Sequence, residues 1–149
     1  MRIVVQRVKR ATVRAGGRQL GCIGEGFVLL VAVGEGDDDQ ELSRWAKKIP
    51  ELRVFRDSAG RMNRSLREVE GEILCVSQFT LYGDCRKGRR PSFVGAAPPE
   101  QASRDFDRFV DLLRAEGITV RTGEFGAMME LELVNDGPVT LILDRPGGQ

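Results

Sequence analysis

Asn135-Asp136-Gly137-Pro138-Val139-Thr140 is the stretch on which the fold of this 149-residue chain turns. Apolar residues alternate with polar ones on both sides of it: Met129, Leu131 and Leu133 before, then Val139, Leu141 and Leu143. A period of two is the pattern of a half-buried strand, and Asp-Gly between two such runs is a strong hairpin signal. Strands over residues 128–134 and 139–143 joined by a tight turn are expected. Pro138 is awkward there, because it removes a backbone donor just where the second strand should begin to pair. The local reading is a turn with a rigid exit, and a Gly-Pro bond at this point also admits a cis peptide.

Moving outward, residues 119–122 read as a further strand. Ahead of them Pro98-Pro99 opens a helix whose apolar stripe is Ala102, Phe106, Phe109, Val110 and Leu113, with Gly117 suited to its C′ position. Ile73-Leu74-Cys75-Val76-Ser77-Gln78-Phe79-Thr80-Leu81 reads as one strand with Ser77, Phe79 and Leu81 on one face and Gln78 and Thr80 on the other. Residues 52–55 make a short strand before a turn at Asp57-Ser58-Ala59-Gly60. The first helix opens at Asp37-Asp38-Asp39, carries Leu42, Trp45, Ala46 and Ile49 on its buried stripe, and ends near Pro50. Phe27 to Val33 is apolar on both faces and therefore central; Gly16-Gly17 makes a tight hairpin before it. Arg7 interrupts the first strand, where an arginine marks a sheet edge or a specific pairing. The inventory predicts an α+β fold. It is a single domain over residues 1–145, a largely antiparallel, barrel-like sheet with two amphipathic helices packed on it, and a frayed tail at 146–149.

Composition narrows the function classes. Lys and Arg number 23 against 22 Asp and Glu, so an anionic partner must be met by a local patch and not by a global field. Three cysteines without C-x-x-C spacing suggest neither a disulfide framework nor a zinc site. No apolar run approaches a membrane span, and the N-terminus meets charge too early for a signal peptide, so a cytoplasmic location is expected. The chain has no histidine, which removes Ser-His and Cys-His nucleophile pairs and most catalytic zinc sites.

Candidate chemistry is sparse. Ser77 and Thr80 emerge from an otherwise buried strand but have no visible base. Asp84, Asp136 and Asp144 suit turns and strand ends as well as acid–base work. Arg86, Lys87, Arg89 and Arg90 form a Gly- and Pro-containing basic loop, read either as a solvated turn or as a phosphate contact.

Ser77 to Leu81 together with Asn135 to Thr140 resembles the motif pair of the D-aminoacyl-tRNA deacylases. Val5-Gln6-Arg7-Val8, Gly24 to Gly34, Arg89-Arg90-Pro91-Ser92-Phe93 and Thr122-Gly123-Glu124-Phe125 fall in the same order and spacing, so the likeness covers nearly the whole chain. The resemblance implies hydrolysis of the ester of D-aminoacyl-tRNA, and of mischarged glycyl-tRNA, with rejection of the L series. It implies no cofactor and no metal. It also implies a homodimer in which Gly137-Pro138, with a cis bond, enters the partner's pocket and presents its carbonyls to the substrate's α-amino group. Backbone N–H groups at Phe79 and Thr80 would hold the oxyanion, Gln78 and Ser77 would line the site, and the ribose 2′-hydroxyl would assist water. Thr80 as a nucleophile is the rival role. Arg7 either supports the Gly137 loop or is an ordinary paired arginine.

Overall fold

The computed structural model describes residues 1–145; the tail expected at 146–149 lies outside them. The organising strand is β1, Arg2–Ala15. Gly16 and Gly17, both at positive φ, turn the chain into β2, Arg18–Ile23, which pairs back on the far half of β1. After Gly24-Glu25 the chain continues as β3, Gly26–Ala32, antiparallel to the near half of β1, from Val8↔Gly26 to Arg2↔Ala32.

Helix α1, Asp39–Lys48, begins at Asp38, whose carboxylate accepts the Glu41 N–H at 2.9 Å. Leu42, Trp45 and Ala46 are buried, and Trp45 is a core residue whose indole N–H donates to Glu41 at 2.8 Å. Pro50 falls inside a short 3-10 turn, Ile49–Glu51. The small β4 (Phe55–Arg56) and β5 (Met62–Arg64) form a separate two-stranded ribbon. Strand β6, Glu72–Ser77, lies parallel to β3. Helix α2, Pro99–Ala115, buries the expected stripe, with Gly117 at φ +82° just past its end. Strand β7, Val120–Thr122, is parallel to β6.

The sheet is therefore mixed. It is antiparallel around β1 and parallel where α1 and α2 form the crossovers, since a parallel neighbour needs a long connection. The sheet curls nearly into a barrel: β2 folds back over β6 and β7, so close that a Cβ at Gly21 would stand 3.0 Å from the Thr122 carbonyl. Two cores result. Ile3, Val5, Phe27, Leu29, Ile73 and Cys75 face the helices, while Val8, Val13, Ile23, Val28, Leu74 and Val76 fill the inside of the curl. That is why β3 is apolar on both faces.

Two local expectations are overturned. The first is the hairpin at Asn135 to Thr140. Strand β8, Glu130–Asp144, runs straight through it, and both halves pair with β1, not with each other. The register passes from Gln6↔Thr140 to Val8↔Asn135, so Asp136 to Val139 stand opposite Arg7 alone. Asp-Gly-Pro makes a wide bulge, where the missing Pro138 N–H costs no ladder bond. β1 is long enough to satisfy both halves, and the hairpin loses to it.

The second is the strand over residues 73–81, which ends at Ser77. Its neighbour β7 has already stopped opposite Cys75, and the Gln78 N–H makes the last bond to β3, to the Val31 carbonyl at 2.7 Å. With no further partner the chain winds into a 3-10 turn, Phe79–Tyr82, so Ser77, Phe79 and Leu81 do not share a strand face.

Candidate active site

The end of β6 opens into a cavity of about 360 Å³. Ser77, Gln78 and Phe79 form one wall, Ala102 and Phe106 of α2 another, and Phe125 to Met129 with Leu131 the third. Phe79 is 55% exposed and packs edge-on against Phe93, with ring centroids 5.1 Å apart. With Ala102, Phe125 and Gly126 it also lines an adjoining, mostly apolar cavity of about 600 Å³ that includes Glu35, Phe93, Val94 and Pro98.

The turn at Phe79 starts with backbone donors that its own hydrogen bonds do not use. Its bonds begin with Leu81 N–H to the Gln78 carbonyl, at 3.2 Å, and Gly83 N–H to the Thr80 carbonyl, at 2.9 Å. The N–H groups of Phe79 and Thr80 lie ahead of the first of these, in the position where helical donors have no partner within the turn. Thr80 is exposed, and its hydroxyl is held by the Gln78 side-chain amide. A carboxamide, whichever way round, is no base.

Gly137 and Pro138 are not among the residues lining that cavity. They lie six and seven residues beyond Leu131 on β8, roughly 20 Å of extended chain. Both are exposed, and the bond between them is cis. The bulge is braced from behind by Arg7, which is only 2% exposed. Its Nε donates to the Asp136 carbonyl at 3.0 Å and lies 3.5 Å from the Asp136 carboxylate, while Nη1 donates to the Val54 carbonyl. Arg56 Nη1 meets both Asp136 carboxylate oxygens at 3.1 Å. Asp136 is thus the ion-pair anchor of a bulge and not a turn residue. Arg56 carried no local sequence signal, because its partner is eighty residues away.

The basic loop is tied at its base by the Asp84↔Ser92 bridge, next to Phe93 and hence close to Phe79. Arg86 is spent on Asp84, donating through Nε at 2.9 Å and Nη2 at 2.8 Å; these bonds hold the Asp84 carboxyl down at about 2. Lys87, Arg89 and Arg90 are exposed. Burial pushes the Cys75 thiol up, in keeping with an inert core cysteine. Among the described residues no cluster of acidic, cysteine and histidine side chains is placed to hold a metal ion, and no helix is long and apolar enough to cross a membrane.

A family model described as D-Tyr-tRNA(Tyr) deacylase matches residues 4–144. A D-aminoacyl-tRNA deacylase of Desulfatibacillum aliphaticivorans is 57% identical over 144 residues, covering 97% of this chain and 99% of that one. The protein of the same name from Heliobacterium modesticaldum is 53% identical over 149 residues, covering 100% of this chain and 99% of its own. A solved structure described as a c-Myc DNA unwinding element binding protein superposes with a TM-score of 0.91 at 42% identity, over 98% of this chain and 99% of that one. A probable eukaryotic D-amino acid tRNA deacylase superposes with a TM-score of 0.81 at 21% identity, over 97% and 98%, and shares the fold.

Proposed function

Because the chain belongs to the D-Tyr-tRNA(Tyr) deacylase family, we propose that it hydrolyses the ester joining a D-amino acid to the terminal adenosine of tRNA. Glycine wrongly placed on tRNA is cleaved too, and the L series is rejected. The work is done in the cytoplasm by a homodimer.

Water adds to the ester carbonyl carbon, the carbonyl oxygen takes up negative charge, and the bond to the ribose oxygen breaks. The proton from water ends on that ribose oxygen, leaving free amino acid and tRNA. The N–H groups of Phe79 and Thr80 receive the oxyanion; one such preorganised donor is worth roughly 2.7–4 kcal/mol where it has been removed elsewhere. Ser77 and Gln78 line the site, and the substrate's own 2′-hydroxyl assists the water, which suits a chain without histidine. A Thr80 nucleophile is disfavoured because its hydroxyl is held by a carboxamide and not by a base. The exposed basic residues Lys87, Arg89 and Arg90, with Arg86 at the loop's base, contact tRNA phosphates near Phe79.

The observation that carries the dimeric reading is the separation of the two motifs. Gly137 and Pro138 stand exposed on a rigidly braced bulge, outside the cavity that Ser77 to Phe79 form in the same chain. Placed in a partner's cavity, the two successive carbonyls accept hydrogen bonds from the substrate's α-amino group and occupy the space an L side chain would need. Glycine, having no side chain, passes. The second edge of β8 is unpaired among the described strands and carries Ile142 at 72% exposure, as a strand awaiting cover would. The deciding assay is release of amino acid from D-Tyr-tRNA and L-Tyr-tRNA by the purified protein. Cleavage of the D form alone supports the reading, and equal cleavage of both, or of neither, sinks it.

A second reading is a nucleic-acid-binding module without turnover, favoured by the likeness to the 42%-identical c-Myc DNA unwinding element binding protein. The same assay separates the two, since a mere binder retains tRNA and releases no amino acid.

A further inference from the structure

Beside the Gly137 bulge, and distinct from the Ser77–Phe79 cavity, is a concavity of about 320 Å³. Arg7, Lys9, Arg56 and Arg64 line it against two carboxylates, Glu25 and Asp136. Asp136 is already neutralised by Arg7 and Arg56. Arg64 spends one guanidinium nitrogen on the Glu68 carbonyl, at 2.7 Å, and is otherwise exposed; Lys9 is exposed. An excess of two positive charges is thus gathered in one polar hollow of a chain whose net charge is only +1. Structural need does not account for it. Arg7 and Arg56 brace the bulge through Asp136, and the β4–β5 ribbon is held to the core by Phe55, whereas Lys9 and Arg64 are exposed and make no ion pair among the described residues.

We infer that this hollow binds phosphodiesters of the tRNA 3′ end, and that it does so for the substrate held in the partner subunit. The inference rests on the reading that Gly137-Pro138 enters the partner's cavity. The bulge and the hollow share Arg7 and Asp136. An aminoacylated end gripped by the bulge carbonyls therefore leads its upstream phosphates past Lys9, Arg56 and Arg64. Each subunit then supplies donors and cavity for one substrate, and gate plus phosphate clamp for the other. The chirality check and the grip on the tRNA sit on one braced element, so an end seated in the clamp is presented to the gate.

The test is the Lys9→Ala/Arg64→Ala double variant of the full chain, chosen because both side chains are exposed and the one side-chain bond shown for the pair, Arg64 to the Glu68 carbonyl, lies away from the bulge. Kinetics are measured on D-Tyr-tRNA and on D-tyrosyl-adenosine, which has no phosphate, over a potassium chloride series; binding of uncharged tRNA is measured in parallel. The preference for D-Tyr-tRNA over D-tyrosyl-adenosine should fall at least about tenfold, and the salt slope for tRNA binding should drop by about two, one for each contact removed. An unchanged preference with an unchanged slope overturns the inference, and so does an equal loss on both substrates. If the parent protein cleaves neither substrate, the enzymatic reading fails by itself, and the slope for uncharged tRNA still decides the phosphate site.

Discussion

Arg7 and Gly137 are fitted to each other so closely that no side chain can come between them: a Cβ at position 137 would stand 2.9 Å from Arg7 Nη2 and 3.0 Å from the Val139 side chain. Gly137 also sits at φ +123°, a conformation L residues rarely adopt. A buried guanidinium and a residue with no side chain together fix where the two exposed carbonyls point.

Gly137→Ala should therefore distort the bulge, with strain of about 1–3 kcal/mol concentrated there. The expected outcome is a fold that survives, by circular dichroism, with kcat/KM on D-Tyr-tRNA reduced about a hundredfold or more. Near-parent activity would mean that the bulge is not the gate.

Arg7→Ala removes the bond to the Val54 carbonyl and leaves the Asp136 carboxylate leaning on Arg56 alone. Leaving the Val54 and Asp136 carbonyls without their donor costs about 1–3 kcal/mol, and Lys should not rescue it, because one ammonium cannot reproduce the fork that spans Val54 and Asp136. Urea unfolding of the Ala and Lys variants checks both statements.

Thr80→Ala should keep measurable deacylation, because the turn's backbone N–H groups are untouched. A tRNA ending in 2′-deoxyadenosine should be a poor substrate for the parent protein. Complete loss on Thr80→Ala, with normal cleavage of the deoxy substrate, would falsify the oxyanion role and favour the nucleophile.

Tyr82 is the only tyrosine, so tyrosinate absorbance reports it alone. Burial, followed by the nearby Asp37 and Asp144 carboxylates, pushes its phenol from 10.0 up to about 12, against an opposing pull from Arg2. A raised pKa means that the folded state keeps this proton longer than the unfolded state. The associated stability is complete below pH 10 and is lost as pH rises from 10 towards 12. A titration midpoint at the ordinary value would contradict this placement.

Gly26→Ala tests the fold. A Cβ there would lie 1.8 Å from the Glu72 carbonyl oxygen, at the first residue pair of the β3–β6 ladder. Backbone cannot yield as a flexible side-chain tip can, so the variant should be recovered largely insoluble or with Tm lowered by at least about 10 °C, given that 1 kcal/mol shifts a domain of this size by about 2–4 °C or slightly more.

What the sequence determined by itself is the part of the structure that repeats locally. The periodicities of residues 39–49 and 99–113 specify two helices, because each stripe must be buried whatever it meets. The two-faced run at residues 27–33 specifies a central strand, and Gly16-Gly17 a hairpin. Ser77 to Thr80 and Gly137-Pro138 were legible as sites only through the resemblance of their motifs.

Tertiary structure decided what depends on a distant partner. Asp136-Gly137-Pro138 has the chemistry of a turn, and it becomes a bulge because β1 offers hydrogen bonds to both flanks at once. Residues 73–81 have the pattern of one strand, and they break after Ser77 because the neighbouring strand ends. The charges around Asp136 come from residues 7, 56 and 64, and only folding makes them neighbours. Local propensity proposes a conformation within a few residues, but a backbone donor is satisfied by whatever strand reaches it, however far away in the chain.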